Sequence, residues 1–421
     1  MKKMKRISAL AVVLAMVFAL TACGGKDEGK GTTAAPENTT TAPAADGEDT
    51  TTAAGGEEAT TTAPAAGGEI AQGGAAEGVK VAVFYYNFSD TYISSVRTAL
   101  DAELNAAGAV YQNFDANGNQ TTQNESIDTA LTDGYKILVV NMVTSGSSDT
   151  AKSIIEKANN HDAQVIFFNR AIEEDGNEGA VLGANDNICF IGTDAPEAGH
   201  LQGKMIGEYL LANYETVDLN GDGVISYAMM KGDEANVEAI YRTQYGVEDA
   251  NAVLTAADKP ELAYFDASSQ SGYQVDMDGQ WSAKAGQEYM QTNLSQYSEA
   301  NNNMIELVIC NNDNMAEGVV SALQAVGYNT GEEGSKTIPV FGVDATTSAQ
   351  SLIAQGAMTG TVKQDAEGMA KAIRGMVEST AAGTPMADGI AAVAGTNDIY
   401  SVAEGVANKL YVAYSAFTGA E

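Results

Sequence analysis

One short segment of the chain carries the oxygen atoms that a hard metal cation needs. In the stretch DLNGDGVISY, Asp218, Asn220 and Asp222 place side-chain oxygens at alternate positions, and Gly223 follows directly. This spacing matches the first half of an EF-hand loop, where alternating oxygens wrap one cation and the glycine makes a sharp turn. The segment is therefore a candidate calcium loop.

The second half of the same segment departs from the EF-hand pattern. Val224 would offer its backbone carbonyl at the seventh position, and Ser226 occupies the ninth. The twelfth position should be a Glu that binds through both oxygens, but Met229 stands there within an apolar run. The segment is thus either an Asp/Asn/Gly turn that binds no metal, or a calcium site that a distant carboxylate completes.

A second group of polar residues follows apolar runs that are predicted to be strands. Ligands of open α/β sheets bind beyond the carboxyl ends of the strands, so these residues could line a cleft. Asn and Asp at strand–helix turns are also typical helix N-caps, and this alternative stays open. The group consists of Asp90, Asn169, Asn236, Glu238, Asn312, Asp344 and Gln364.

The elements that would position these residues follow a regular alternation from Val79 onward. The run VKVAVFYY predicts a strand, and Ile93, Val96, Leu100 and Leu104 then recur at helical spacing. The same alternation continues through the first half of the chain and then restarts. Alternating strands and helices imply parallel sheets with right-handed crossovers. The sequence therefore predicts an α/β fold of two doubly wound, Rossmann-like lobes joined by a hinge.

Four stretches of this pattern occur together in one known family. They are DLNGDG followed by a strand and Lys231-Gly232, VIFFN ending at Asn169, IELVICNND, and PVFGVDA. On these motifs the folded region resembles the bacterial galactose/glucose-binding proteins of ABC sugar importers, which have the type I periplasmic-binding-protein fold. The predicted lobes are residues 79–193 plus 364–411, and residues 194–363 plus 412–421.

The resemblance implies a function as well as a fold. A member of this family captures a monosaccharide, galactose or glucose, between its lobes and delivers it to an ABC permease. The alternatives are another sugar, such as a pentose or a methyl-galactoside, and a glycoside-processing enzyme. A structural surface lipoprotein without a ligand is a third class.

For the calcium loop, the resemblance supplies the missing ligand. In the family, a Glu at the start of a later strand completes the site, and Glu306 matches that position. Ser226 stands where the family has Gln, so water could replace that ligand. The implied structural Ca²⁺ site consists of Asp218, Asn220, Asp222, Val224, Ser226 and Glu306.

For the sugar, the resemblance implies ten contact residues. Tyr92 stands for a Phe of the family, and extra residues occur at about 267–280, just before Trp281. Asn236 replaces a His, Glu238 replaces an Asp and Gln364 replaces an Asn, so the hydroxyl specificity is open. The implied contacts are Asp90, Tyr92, Asn169, Asn236, Glu238, Arg242, Trp281, Asn312, Asp344 and Gln364.

These residue types suit a hexose, which has apolar C–H faces and a polar rim. Tyr92 and Trp281 can supply aromatic plates, Arg242 is a planar donor, and Asp90 and Asp344 are strong acceptors. Each also has a structural alternative. Trp281 could be a core residue, Arg242 could pair with a carboxylate on a helix face, and Asp344 could be a helix cap.

The N-terminus has the pattern of a lipoprotein signal peptide. Four basic residues precede the apolar run Ala9–Leu20, which is short for a membrane span. The run ends in Leu-Thr-Ala-Cys, which resembles a lipobox, so residues 1–23 are predicted to be a signal and Cys23 to be acylated. Residues 24–78 lack aromatic residues and are predicted to be a disordered tether. The predicted location is the extracytoplasmic face of the cell membrane, with a lipid anchor.

The composition excludes several classes of partner. With 22 basic and 56 acidic residues, the net charge of −34 argues against nucleic acid and against electrostatic docking to anionic lipid. Besides Cys23, only Cys189 and Cys310 remain, both in apolar runs, and we expect no disulfide. The sequence contains no nucleophile elbow, Walker loop or zinc-spaced Cys/His cluster, so we expect a binding protein and not an enzyme. We also expect the protein to be a monomer.

Overall fold

The computed structural model describes residues 74–419, which lie within one compact unit. Two seven-stranded sheets, each with helices packed on its faces, form two lobes. This architecture confirms the predicted α/β fold with two parallel-sheet lobes. Cys23, the signal segment and most of the predicted tether lie outside the described residues.

The first lobe contains the N-terminal elements and most of the C-terminal ones. Its strands are β1 (Lys80–Tyr85), β2 (Val110–Asp115), β3 (Ile137–Val140), β4 (Gln164–Phe168), β5 (Ile188–Gly192), β12 (Tyr400–Val402) and β13 (Lys409–Val412). Its helices are α1 (Thr91–Ala106), α2 (Gln120–Thr132), α3 (Ser148–Asn159), α4 (Gly179–Gly183), α10 (Ala366–Ala381) and α11 (Met386–Ala394).

The second lobe is built from the middle of the chain and one C-terminal strand. Its strands are β6 (Ser226–Lys231), β7 (Ala263–Tyr264), β8 (Gln274–Val275), β9 (Leu307–Cys310), β10 (Val340–Asp344), β11 (Gly360–Lys363) and β14 (Ser415–Phe417). Its α-helices are α5 (Ala195–Val217), α6 (Val237–Ala256), α7 (Ala283–Leu294), α8 (Asp313–Gln324) and α9 (Thr347–Ala354), and a 3₁₀ turn covers Glu299–Asn301.

Five strands of each sheet follow the same order. The first sheet runs β12-β13-β5-β4-β3-β1-β2, and the second runs β14-β11-β10-β9-β6-β7, with β8 also paired to β6. In the first sheet β1 lies between β2 and β3, and in the second β6 lies between β7 and β9, so the strand order reverses at β1 and at β6. Such a switch point opens a crevice at the carboxyl ends of the strands, which is where ligands of these sheets bind.

Alternation of side chains along the strands gives each sheet two buried faces. In β1, Val81 and Val83 belong to the hydrophobic cluster on one face, and Ala82 and Phe84 belong to the cluster on the other. Strands buried on both faces are almost continuously apolar, which explains the runs that are visible in the sequence. Cys189 and Cys310 are free, buried, and located in different sheets.

Three segments connect the lobes, at about residues 193–194, 364–365 and 413–414. The last crossing differs slightly from the predicted boundary, which assigned Val412 to the second lobe. Val412 belongs to β13 and pairs with Tyr400 in the first sheet. The chain crosses only after this pairing ends.

The folded unit also begins earlier than the predicted boundary at Val79. Residues 74–78 form a turn in which Ala76 is fully buried and donates its N–H to the carbonyl of Ala107 at 3.0 Å. The composition of this turn is that of the tether, so only its contact with the end of α1 distinguishes it.

Among the described helices, none is both long and apolar enough to cross a membrane.

A strip of glycines on α5 sets the position of α6. A Cβ added at Gly199 would lie 2.6 Å from the carbonyl oxygen of Tyr241, and one at Gly203 would lie 2.4 Å from that of Tyr245. Gly207 continues the strip one turn further along. Absence of side chains at these positions lets the two helix backbones approach closely. The N-terminal turns of α6 are thereby held at the cleft between the lobes.

Candidate functional site

A small polar cavity of about 40 Å³ lies between the lobes, beyond the carboxyl ends of the two sheets. The structure brings together in its lining all the residues that were predicted to contact sugar. These are Asp90, Tyr92, Asn169, Asn236, Glu238, Arg242, Trp281, Asn312, Asp344 and Gln364.

Three of these residues are helix N-caps as well as cavity residues. Asp90, Asn236 and Asn312 each accept a hydrogen bond from the backbone N–H three residues ahead, at 2.7, 3.2 and 3.0 Å. The two alternatives from the sequence, helix caps and residues that line a cleft, are therefore both correct for these three residues. A cap uses one acceptor oxygen, and each side chain keeps further lone pairs or N–H groups for a ligand.

Arg242 is the centre of a buried polar network. Its Nη1 donates to the carbonyl of Asn311 at 2.9 Å, and its Nη2 donates to Glu238 at 3.1 Å, to Tyr414 at 2.9 Å and to Gln364 at 3.3 Å. The pairing with Glu238 on the same helix face was the structural alternative for Arg242, and it is present. The network fixes the plane of the guanidinium beside the cavity.

The same network contacts all three segments that join the lobes. Thr193, in the first segment, donates its hydroxyl to Glu238 at 2.7 Å. Gln364 lies in the second segment and Tyr414 in the third, and both bond to Arg242. The N-terminal part of α6 is thus bonded to the hinge as well as to the cavity.

Asp344 is a buried carboxylate in the wall of the cavity. It is 7% exposed and has a φ of 127°, in the backbone region that residues other than glycine rarely adopt. Burial raises the pKa of Asp344 well above its usual value, Arg242 opposes this, and Asp313, Asp90 and Glu238 add to it. Arg242 is hydrogen-bonded to Glu238, so its positive charge is shared between Glu238 and Asp344. The carboxyl group of Asp344 is therefore available to a ligand.

Several N–H donors around the cavity also lack partners. Buried side-chain nitrogens of four lining residues have no hydrogen-bond partner among the residues that the structure describes: Arg170 Nε, Arg242 Nε, Trp281 Nε1 and Gln364 Nε2. Most buried polar groups in proteins are hydrogen-bonded, so orphans collected around one cavity indicate a ligand with several acceptors.

Trp281 closes the cavity from an unusual backbone conformation. It is 6% exposed with a φ of 56°, in the left-handed region, and it directly precedes Ser282, the N-cap of α7. The indole packs against Gly232, where an added Cβ would lie 2.2 Å from the ring. Its carbonyl accepts a hydrogen bond from the amide of Asn312 at 3.3 Å. The ring is therefore both a packed side chain and part of the cavity wall.

The extra residues before Trp281 form a wall at the mouth of the cleft. Within this segment, β8 pairs with β6, and Asp276 accepts hydrogen bonds from the N–H and hydroxyl of Ser282 at 2.9 and 2.8 Å. At its end, Gln280 accepts a hydrogen bond from Asn87 of the opposite lobe at 2.5 Å. The segment is thus fixed at both ends and contacts both lobes.

Three lining residues were missed by the sequence analysis: Tyr86, Ile93 and Arg170. The guanidinium of Arg170 lies 4.1 Å above the ring of Tyr86 and 3.7 Å from the carboxylate of Asp233 in the other lobe. Tyr86 donates its hydroxyl to Asp90 at 2.6 Å. Arg170 directly follows Asn169 at the end of β4, and that position was the available signal.

The predicted metal loop lies away from this cavity, at the opposite end of β9. Glu306 is fully buried there, and its carboxylate accepts backbone N–H groups from Leu219 at 2.8 Å, Asn220 at 3.1 Å and Ser226 at 3.0 Å. Asp218 accepts two further backbone N–H groups of the loop, at 2.7 and 2.9 Å. Glu306 therefore contacts the loop, although the loop residues lie 80 or more positions before it in the sequence.

The donor set of the loop consists entirely of oxygen, which is the ligand type that calcium takes. Burial raises the pKa of Glu306, backbone hydrogen bonds oppose this, and the charge of Asp218 adds to it. Within residues 74–419, no group of three or more His, Cys, Asp or Glu side chains is arranged to hold a metal ion. A cation in this loop would need the amide oxygen of Asn220 and the carbonyl of Val224 in addition to carboxylates.

Comparison with known proteins identifies the family. The sequence model of one protein family, the periplasmic binding protein domain, matches residues 81–385 of this chain. The chain is 31% identical over 312 residues to the D-galactose/methyl-galactoside binding periplasmic protein MglB of Haemophilus influenzae, covering 74% of this chain and 84% of that protein.

Solved structures agree at the level of the fold. A solute binding protein of an ABC transporter from Clostridium phytofermentans with bound β-D-glucose has a TM-score of 0.59 and 20% identity, covering 81% of this chain and 94% of that one. One from Actinobacillus succinogenes with bound D-allose has a TM-score of 0.60 and 15% identity, covering 81% and 98%. The expectation of a binding protein and not an enzyme is confirmed by the family match. The chain belongs to the periplasmic binding protein family.

Proposed function

We propose that this chain captures a neutral monosaccharide, D-galactose or D-glucose, between its two lobes and delivers it to an ABC permease. The observation that carries the proposal is the set of four unpartnered buried N–H groups and the buried carboxyl group of Asp344 around one cavity. A sugar hydroxyl both donates and accepts, so a ring of hydroxyls can satisfy donors and acceptors together.

The aromatic residues and the charge balance favour a neutral sugar. Tyr92 and Trp281 line the cavity and offer apolar surface to the C–H faces of a ring. Asp90, Glu238 and Asp344 outnumber the guanidinium groups of Arg170 and Arg242, which disfavours an anionic ligand. The name of the Haemophilus relative, which includes D-galactose, supports a hexose, and a pentose or methyl-galactoside is the alternative.

Access to the cavity would require the lobes to move apart. A volume of about 40 Å³ has room for roughly three water molecules, which is less than a hexose needs. The three linking segments are the natural place for this motion, since hinges are a few residues between packed elements. A sugar would then be enclosed by groups from both lobes.

Calorimetric titration of the whole chain with a panel of neutral monosaccharides tests the proposal. We expect saturable binding of galactose or glucose at one site per chain. A panel in which no neutral monosaccharide gives heat would contradict it. Titration with a pentose and with methyl β-galactoside in the same series separates the alternatives.

Two further parts of the proposal concern the membrane and the metal. Acylation of Cys23 would anchor the protein at the extracytoplasmic face of the cell membrane, as a monomer beside its permease. A Cys23→Ser protein should then leave the membrane fraction, and equal retention would argue against the anchor. Ca²⁺ would be held by Asp218, Asn220, Asp222, Val224, Ser226 and Glu306, where a divalent charge offsets the gathered carboxylates.

A further inference from the structure

A second and larger cavity of about 490 Å³ lies at the mouth of the cleft. It is called the outer cavity here, and the cavity of about 40 Å³ is called the inner cavity. Tyr86 and Arg170 line both of them, so these two side chains stand between the cavities. Protein sites for small ligands usually measure ~300–1,000 Å³, and the outer cavity falls within this range whereas the inner cavity does not.

The far wall of the outer cavity is the segment of extra residues before Trp281. Val275 through Gln280 all line it, and the turn is fixed by the hydrogen bonds that Asp276 accepts from Ser282. Asp278 also donates its N–H to Asp276 at 3.1 Å. This wall is therefore a built surface, held in place by its own hydrogen bonds and by the pairing of β8 with β6.

One side chain in this wall has no structural role in the fold. Met277 is 82% exposed, the largest exposed fraction among the large hydrophobic residues that the structure describes as exposed. Met277 offers apolar surface to a ligand because its side chain lines the outer cavity and is not packed in the core. Met277 stands beside carboxylates that can accept hydroxyl hydrogen bonds, an arrangement that suits a sugar ring.

Charge limits what the outer cavity can hold. Four carboxylates line it, from Asp233, Glu234, Asp276 and Asp278, against the single guanidinium of Arg170. An anionic group would be repelled there. Arg170 is 7% exposed, and its unpartnered Nε offers one donor at the junction of the two cavities.

We propose that the outer cavity binds the second ring of a neutral disaccharide whose first ring occupies the inner cavity. The inference rests on the proposed function, because the first ring must bind where that function places a monosaccharide. The glycosidic link would pass beside the stacked side chains of Tyr86 and Arg170, and the second ring would contact Met277. The preferred cargo of the chain is then a disaccharide, and a monosaccharide fills only part of the site.

Titration calorimetry with the whole chain tests this inference. The ligands are D-galactose, D-glucose, the neutral disaccharides lactose, melibiose, cellobiose and maltose, and the anionic cellobiouronate. We expect at least one neutral disaccharide to bind about tenfold more tightly than either monosaccharide, and the anionic disaccharide to bind more weakly than its neutral parent.

Two variants locate the effect. Met277→Ser should lower the ratio of disaccharide to monosaccharide affinity by about threefold, because it removes apolar contact from the second ring. Val326→Ser, at a 57% exposed residue beyond α8, should leave that ratio unchanged. Both side chains are exposed, so neither change should unfold the protein.

The outcomes separate the inference from the function beneath it. If a monosaccharide binds and no neutral disaccharide binds more tightly, the outer subsite is wrong and the proposed function stands. An affinity ratio that Met277→Ser leaves unchanged, or that Val326→Ser lowers equally, also overturns the subsite. If no saccharide binds, the proposed function fails and the subsite fails with it.

Discussion

At the scale of single residues, some side chains that line the cavity also stabilise the helices beside it. Asp90, Asn236 and Asn312 each cap a helix and line the cavity. A residue at the carboxyl end of a strand is also the residue before the next helix. The same polar side chain can therefore satisfy the helix terminus and face the crevice.

Trp281 is expected to contribute to sugar affinity and to stability. Stacking that buries roughly 50 Å² on each partner is worth about 2 kcal/mol, so Trp281→Ala should weaken sugar binding roughly 10- to 30-fold in calorimetry. Because the side chain is only 6% exposed and packs on Gly232, the same change should also lower the melting temperature.

The matched control for this change is Trp281→Phe, which keeps an aromatic plate. It should retain most of the affinity and lose less stability than the alanine variant. Normal sugar affinity in Trp281→Ala would show that the ring is packing alone and that the plate is another aromatic residue.

We expect Asp344 to lower the free energy of unfolding of the ligand-free protein. Its pKa is raised mainly by burial, so the folded state binds more protons than the unfolded state above about pH 4. The free energy of unfolding therefore decreases as the pH rises from about 4 through the raised pKa of Asp344. Asp344→Asn should be more stable than the wild type at pH 7 and equal to it near pH 3.

The same substitution should weaken sugar binding, since an amide nitrogen replaces a carboxyl oxygen that can accept a hydroxyl hydrogen bond. A loss of about 1.5–3 kcal/mol corresponds to roughly 10- to 150-fold in affinity. Asp398→Asn, at an exposed carboxylate, is the control for both measurements. An Asp344→Asn protein that is less stable than the wild type at pH 7 would contradict the account of this residue.

At the scale of elements, close approach of two helices positions the cavity residues of α6. A Cβ at Gly203 would lie 2.4 Å from the backbone oxygen of Tyr245, and a backbone atom can yield only if the helix moves. Overpacking costs about 1–3 kcal/mol, which exceeds the ~1 kcal/mol that Ala gains over Gly in a helix. Gly203→Ala should therefore lower both the melting temperature and the sugar affinity.

Gly183→Ala is the matched control, because an added Cβ there meets no atom within 4 Å. This variant should have unchanged or slightly higher stability and normal affinity. Equal behaviour of the two alanine variants in thermal unfolding would show that the helix contact tolerates a side chain.

The loop at Asp218–Ser226 and the start of β9 form the second element with a testable role. If Ca²⁺ is bound at about 100 times its dissociation constant, it stabilises the folded protein by about 2.7 kcal/mol. A chelator should then lower the melting temperature of the wild type by a few degrees and leave that of Glu306→Gln unchanged. The variant should be less stable from the outset, since its amide cannot accept all three N–H groups.

Glu332→Gln, an exposed change in the same lobe, should respond to the chelator as the wild type does. If the chelator leaves the melting temperature of the wild type unchanged, the prediction of a bound metal is wrong. The loop would then be an Asp/Asn/Gly turn that Glu306 holds through hydrogen bonds alone.

Strand and helix order could be predicted from the sequence because both have short, regular periods. The lining of the cavity could be predicted because strand ends and family motifs fall at fixed places in that order. The contact of α5 with α6 could not, since Gly199 and Gly203 matter only through what faces them. The early start of the fold at residue 74 also depends on a contact, between Ala76 and Ala107.

At the scale of the whole molecule, the cavity and the hinge share one hydrogen-bond network. Arg242 and Glu238 contact residues in each of the three segments that join the lobes. Tyr414 was not predicted to take part, because it lies near the C-terminus and reaches the network only after the chain crosses between sheets. A ligand that bonds Arg242 would act on the same groups that set the relative position of the lobes.

The central claim is that a sugar binds between the lobes, against the only tryptophan of the chain. Trp281 emission reports on that location directly, because no other indole contributes. We expect the emission to shift in a saturable way on addition of galactose or glucose, with the dissociation constant that calorimetry gives. Calorimetric binding of a sugar with constant Trp281 emission would contradict the placement of the site, and the absence of both signals for every neutral sugar would contradict the function.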